Sequence, residues 1–384
     1  MRAALLAVIL GCIAAVAVTG PIRTEMADFE VYRTAGARAA AAEPLYRASD
    51  EHFQFKYFPA FAFVFAPLAA LPMAAAKAVW AGLSAAALVA FLALSLRQLP
   101  SRAVPSPLIV LATLLTLGKF YAHELTLGQA NLLLGLMAAA ALAQLQHGRE
   151  IVAGATFGAA AAVKPYAVVF LPYLVATRRF RAAAACAAVL LLALAVPSIQ
   201  YGVQGNLDLL RDWWEAIGAS TPANLTNQDN VSIAAMWAKW LGPGAGAESL
   251  ALATSLMVVV ACAAAILRRP PLARAARAGE AGPAGPEYLD VALLLTAVVL
   301  VSPQGWDYVL LLSTPAVMLI VNALPQVGRP LQAITVVCLA LTGLTLYDVI
   351  GRAAYARFMA LSVVTLAYGV LIGVLIYLRA RRMA

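Results

Sequence analysis

The sequence predicts an all-α polytopic membrane protein, and three observations carry that expectation. Of the 384 residues, 63% are hydrophobic and 12% charged, whereas a soluble domain carries roughly 25% charged residues. Stretches free of Asp, Glu, Lys and Arg recur along the whole chain, and a membrane-crossing helix needs roughly 20 apolar residues. The arginines gather in alternate connections between these stretches, which is the asymmetry that orients membrane proteins. A soluble globular domain is excluded. The composition has room for about twelve crossings, and a single membrane domain over residues 1–384 is expected.

In chain order the charge-free stretches are 3–20, 78–96, 103–118, 125–146, 151–163, 165–177, 182–199, 249–267, 291–306, 308–324, 330–347 and 358–378. The first also resembles a signal peptide, with Arg2 before it and small residues near its end; its length favours a retained helix. Arg2, Arg97, Arg102, Arg149, Arg178, Arg179, Arg181, Arg268, Arg269, Arg274, Arg277, Arg329, Arg379, Arg381 and Arg382 mark the cytoplasmic connections. That side then holds fifteen basic and four acidic residues, and the other side twelve basic and fourteen acidic. The formal net charge of +9 is therefore a matter of topology and gives no support to a nucleic-acid partner. Both termini are expected in the cytoplasm of a bacterial-type plasma membrane.

This orientation has two consequences. The apolar run Tyr57 to Leu71, with Pro59 and Pro67 in it and Pro72 after it, cannot cross if Arg97 is inside, so it is expected as a juxtamembrane or re-entrant helix in the first outer loop. The segment 151–177 must go out and back as two short helices joined near Lys164-Pro165. The outer connections, about 21–77 and 200–248, are long. Among the cytoplasmic ones only 268–288 is long, and its Pro, Gly, Ala and Arg content reads as a flexible linker. Function is therefore expected on the outer face.

Ionisable groups at membrane depth should face a cavity and have a partner or a task. Asp28 and Glu30 lie just beyond the first helix; at i and i+2 they point to different faces of any helix. Lys119 to Asn131 (KFYAHELTLGQAN) holds Lys119, His123, Glu124, Gln129 and Asn131. Lys164, between two apolar runs, suits an anionic ligand such as phosphate. Asn227 to Asn230 (NQDN) and Ser302 to Tyr308 (SPQGWDY) add Asn227, Gln304, Trp306 and Asp307, amides, an aromatic ring and a carboxylate that suit a sugar. The four cysteines, Cys12, Cys186, Cys262 and Cys338, sit in apolar runs and read as packing residues. The chain has no HxxH, CxxC or HExxH spacing, no GxxxxGK[ST], no strand-borne GxGxxG and no Gly-x-Ser-x-Gly. Neither a metal nor a cofactor is expected.

In order, Asp28-Phe29-Glu30-Val31-Tyr32, Pro44-Leu45-Tyr46, Tyr57-Phe58-Pro59, Pro67-Leu68, Leu71-Pro72, Gly128-Gln129-Ala130-Asn131, Ala153-Gly154, Lys164-Pro165, Asn227-Gln228 and Ser302-Pro303 with Trp306 resemble the glycosyltransferase family 87 mannosyltransferases over most of the chain. The resemblance implies a GT-C type helical bundle with its site at the outer membrane surface. It also implies a polyprenyl-phosphate sugar donor, commonly mannose, and a lipid-linked or glycan hydroxyl acceptor. The family's essential aspartate maps onto Asp28. Where relatives often carry histidine after Ser-Pro-x-x-Trp, this chain has Asp307 and Tyr308, a departure that bears on sugar or acceptor identity.

Asp28 is then expected as the general base of an inverting transfer. Lys164 stabilises the departing phosphate, helped by Arg33, Lys119 or His123, while Glu30, Tyr57, Gln129, Asn131, Asn227, Gln304, Trp306 and Asp307 bind sugar or acceptor. The competing expectation is a transporter or flippase of a lipid-linked saccharide. Such folds commonly repeat internally, and residues 1–190 and 191–384 show no correspondence.

Overall fold

A computed structural model describes residues 25–268 and 286–381. The expected first helix at 3–20 with Cys12, and the 268–288 linker apart from its ends, lie outside the described residues. Among the described residues the chain is helical and has no β-strand; one isolated bridge joins Asn230 and Trp306. The helices named below are α1 Ala27–Ala40, α2 Pro59–Ala69, α3 Met73–Arg97, α4 Ser106–Leu127, α5 Asn131–Gln146, α6 Glu150–Val163, α7 Phe170–Ala176, α8 Phe180–Ala195 and α9 Ser198–Asn224. They are followed by α10 Ile233–Leu241, α11 Ala245–Leu267, α12 Glu287–Val301 and α13 Val363–Arg381.

Five described segments are long and apolar enough to cross a bilayer: α3, α4, α11, Asp307–Gln326 and α13. Helices α8 and α9 make a sixth only as a pair bent by 89°, where Pro197 interrupts the chain. Several other apolar helices are shorter, among them α2, α5, α6 and Arg329–Leu344. The protein is thus a multi-pass membrane protein with five or six such helices among the described residues, fewer than the twelve expected. The long connections 21–77 and 200–248 carry helices of their own, α1 and α2 in one, most of α9 and all of α10 in the other.

The described residues divide into two compact units, those within 1–91 and 122–222, and those within 92–121 and 223–384. In the first unit α1 buries Phe29, Tyr32, Ala35, Gly36 and Ala39, a stripe at helical spacing. Its acidic residues lie in the first turn and Arg38 in the last, matching the helix dipole. The stripe packs on α2, whose Phe61, Ala62 and Phe65 are buried. A Cβ on Gly36 would lie 2.6 Å from the Phe65 carbonyl carbon, so this crossing needs a glycine. Aromatic rings join α1 to both neighbours: Tyr32 meets Phe61 of α2 edge-on at 5.4 Å, and Phe29 stacks on Trp80 of α3 at 6.0 Å.

Helix α6 has 14 residues, a length of about 21 Å against the roughly 30 Å hydrocarbon core. Lys164 ends it in extended geometry, φ −135° and ψ 110°, because Pro165 excludes the helical region for the residue before it. A 3-10 turn and α7 follow, and Arg179 beyond them pairs with Glu150 at the start of α6 at 3.3 Å. The chain therefore turns back on itself, with Lys164 at the tip.

In the second unit Asp307–Gln326 is almost wholly enclosed. Tyr121 and Thr314 share a hydrogen bond of 2.6 Å, and Asn322 accepts from the backbone amides of Ala103 and Val104. Arg379 and Asp290, both buried, pair at 3.0 Å. Cys186, Cys262 and Cys338 are buried and unbridged, as packing residues should be.

Candidate active site

The first unit gathers Asp28, Tyr57, Gln129, Asn131 and Lys164 into one hydrogen-bonded group. Its placement begins at Gly128, which ends α4 with φ +69°. Gly128 N–H donates to Leu125 O at 3.2 Å and Gln129 N–H to Glu124 O at 3.1 Å, the paired bonds of a Schellman cap. The turn is pinned from outside by Trp80, whose indole N–H donates to Gly128 O at 2.7 Å, and by Met26 N–H on Thr126 O at 3.0 Å. Gln129 is thereby aimed at the first turn of α1.

The carboxamide of Gln129 joins opposite charges. Its Nε2 donates to Asp28 Oδ2 at 2.7 Å. Its Oε1 accepts from Lys164 Nζ at 2.9 Å, Tyr32 OH at 2.7 Å and Tyr57 OH at 3.0 Å. Lys164 Nζ also donates to Tyr57 OH at 2.6 Å and sits 4.4 Å from that ring's centroid, a cation–π geometry. Tyr32 and Tyr57 share a further bond of 2.5 Å. Gln129 and Lys164 are buried, and Asp28 and Tyr57 half-buried.

Burial raises the Asp28 carboxyl above its ordinary value; the Gln129 hydrogen bond and the charges of Lys164, His123 and Lys56 oppose the rise. Burial lowers Lys56 in turn, with Asp28 pulling the other way. Burial also pushes the Tyr57 phenol well up, so it stays protonated and can donate.

Glu124 supports this group from behind. Its Oε1 accepts from the backbone amides of Asn131 and Leu132 at 2.5 and 3.0 Å, and its Oε2 from Asn131 Nδ2 at 2.8 Å. The carboxylate thus satisfies the orphan amides that begin α5. Asn131 Oδ1, held in place, accepts from Tyr166 OH at 2.5 Å.

Other expected residues lie elsewhere. Glu30 pairs with Lys77 at 2.6 Å, on a different face from Asp28. Arg33 donates to Ala69 O and Leu71 O at 3.1 and 2.8 Å, so its guanidinium caps the end of α2 and is not directed at the group around Lys164. His123 stands close enough to act electrostatically on Asp28.

Lys119, Asn227, Gln304, Trp306 and Asp307 belong to the second unit. There NQDN and SPQGWDY come together: Asp307 N–H donates to Asp229 O at 2.9 Å, Val231 N–H to Gly305 O at 2.7 Å, and Asn230 Nδ2 to Pro303 O at 2.8 Å. Lys239 Nζ binds the Gln228 and Asn230 carbonyls at 3.0 and 2.7 Å. Burial lowers it to about 8, Asp229 and Asp307 opposing. Asn227 Oδ1 accepts from Asp229 N–H at 2.9 Å, and Lys119 Nζ donates to Thr345 O at 3.1 Å.

Sequence reasoning gave no role to Tyr32, Lys77, Tyr166 and Lys239, and it treated Glu124 and Asn230 only as parts of polar stretches. Tyr32 had a signal, four residues after Asp28 on the same helix face. The others needed the fold. Among the described residues no group of three or more His, Cys, Asp or Glu side chains is arranged to hold a metal.

Fold and site together describe a multi-pass helical membrane protein with a carboxylate and an ammonium gathered in one polar site. The model of glycosyltransferase family 87 matches residues 55–303, and the chain belongs to that family: it is a membrane glycosyltransferase. Tyr57, Gln129, Asn131, Lys164 and Asn227 fall inside the matched stretch, whereas Asp28 precedes it and Trp306 and Asp307 follow it. Comparison with curated proteins and with solved structures gave no match.

Proposed function

We propose that the protein moves a sugar, mannose, from a polyprenyl-phosphate donor to a lipid-linked or glycan hydroxyl at the outer face of a bacterial-type plasma membrane. In this reading the fold is of GT-C type with about twelve crossings, the α1–α2 region serves as the juxtamembrane element of the first outer loop, and both termini are cytoplasmic. The observation that carries the chemistry is the single carboxamide of Gln129 bridging Asp28 and Lys164.

Asp28 takes the proton as the acceptor hydroxyl attacks the anomeric carbon, and the bond from that carbon to the phosphate oxygen breaks on the opposite face. The leaving phosphate carries charge to be stabilised, which is the task of Lys164; the Tyr57 hydroxyl beside it is a second donor. The transfer inverts configuration. A double displacement needs a second carboxylate at the same carbon, and Glu30, the nearest in sequence, is engaged with Lys77.

The test is reconstitution of the purified protein in liposomes with radiolabelled polyprenyl-phosphate mannose and candidate acceptors. Labelled product, with the anomeric configuration reversed, supports the reading. Labelled donor crossing the bilayer without any product would favour a flippase.

A further inference from the structure

We infer that the cavity between α1 and the Ala48–Phe53 turn is a binding site for the neutral saccharide end of the acceptor, an inference that rests on the transferase reading above. The cavity measures about 430 Å³, within the range of roughly 300 to 1,000 Å³ typical of small-ligand pockets. One wall is a single face of α1, from Ala27 through Glu30 and Thr34 to Arg38, at the three- and four-residue spacing that aligns side chains on a helix. The facing wall includes Ser49, Asp50, Glu51 and Phe53.

The lining is rich in hydrogen-bond acceptors. Glu30, Asp50 and Glu51 bring three carboxylates, and Thr34 and Ser49 two hydroxyls. The cation in the lining, Arg38, is held by Asp50 through two bonds of 2.5 and 2.9 Å, and that pairing keeps the Asp50 carboxyl below its ordinary range. Lys77, 2.6 Å from Glu30, offsets that carboxylate as Arg38 offsets Asp50, so the charge the lining keeps is that of Glu51, which disfavours a phosphate or any other anion. A ligand dense in O–H donors fits it instead, because ionised carboxylates only accept. Phe53 is 50% exposed and offers an apolar ring face to the C–H side of a pyranose.

Position links the cavity to the chemistry. Ala27 lines it and Asp28 is the next residue, so the first turn of α1 both lines the cavity and carries the base. The division of labour follows from charge. The anionic donor goes to buried Lys164, and the neutral acceptor to an acid-lined cavity on the neighbouring face of the same helix.

The test is saturation-transfer NMR on the purified full-length protein in detergent, with methyl mannoside and methyl glucoside as probes and inorganic phosphate as competitor. Phe53→Ala and Glu51→Gln, both at exposed positions, should each weaken glycoside binding about tenfold, the loss of one good contact. Lys164→Met should leave it unchanged, and phosphate should not displace the glycoside. Absence of a glycoside signal with wild type, equal signals in wild type and both cavity variants, or displacement by phosphate would each overturn the inference. Because no transfer is required, this readout is independent of the reconstitution assay: absence of product there with a cavity-dependent signal here would remove the transferase mechanism and leave the saccharide site standing.

Discussion

Gln129 Nε2 lies 2.7 Å from Asp28 Oδ2 and donates to it, and the orientation of that carboxamide follows from its surroundings. Lys164 has only donors, so the Gln129 oxygen must face it, and the amide nitrogen is left for the carboxylate. Gln129→Leu removes both links while keeping the side-chain volume similar. We expect kcat to fall at least about tenfold, the value of one charge-assisted hydrogen bond, with the helix content unchanged by circular dichroism.

The raised carboxyl of Asp28 sets the sign of the pH dependence. A general base works only when deprotonated, so kcat/KM should rise with pH through an acid limb placed above the ordinary aspartate value. The Gln129 hydrogen bond lowers the Asp28 carboxyl, so Gln129→Leu should move the limb to higher pH. A profile that is flat through the carboxylate range in both proteins would contradict this.

Glu124 gives a stability prediction. Glu124→Ala leaves the buried amides of Asn131 and Leu132 without their acceptor, and a buried unsatisfied group costs roughly 1–3 kcal/mol. Thermal unfolding in detergent should show a marked loss, whereas Glu124→Gln, which keeps an oxygen for the two amides but turns an NH2 toward the Asn131 Nδ2 donor, should lose less than alanine and more than nothing.

Gly128 gives a local one. With φ +69° and Phe29 Cβ only 2.8 Å from where a Cβ would stand, Gly128→Ala should cost roughly 1–3 kcal/mol and displace Gln129 next to it. Reduced thermal stability and reduced transfer should appear together; loss of neither would show that the turn is more tolerant than its geometry implies.

Much of this was legible in sequence because charge is scarce in the chain. Eleven of the charge-free stretches overlap described helices, although only five or six of those helices are long and apolar enough to cross a bilayer, and the break at Lys164-Pro165 was readable from proline sterics alone. Asp28 and Lys164 stood out as charges beside apolar runs. Arg33 did not separate from them, since a guanidinium that caps a helix end looks the same in sequence as one that binds phosphate. The burial of Phe29, Tyr32 and Ala39 was hidden for a related reason: it depends on α2, which comes later in the chain. The pairing of Asn230 with Pro303 across 73 residues leaves no local trace at all.

The most direct measurement compares Asp28→Asn with wild type for transfer of labelled mannose from the polyprenyl-phosphate donor in liposomes. Asparagine keeps the size of the side chain but cannot take the acceptor proton, so kcat should fall about 10²-fold or more, with donor KM nearly unchanged because Lys164 is untouched. Transfer by Asp28→Asn at the wild-type rate would contradict the assignment of Asp28 as the base.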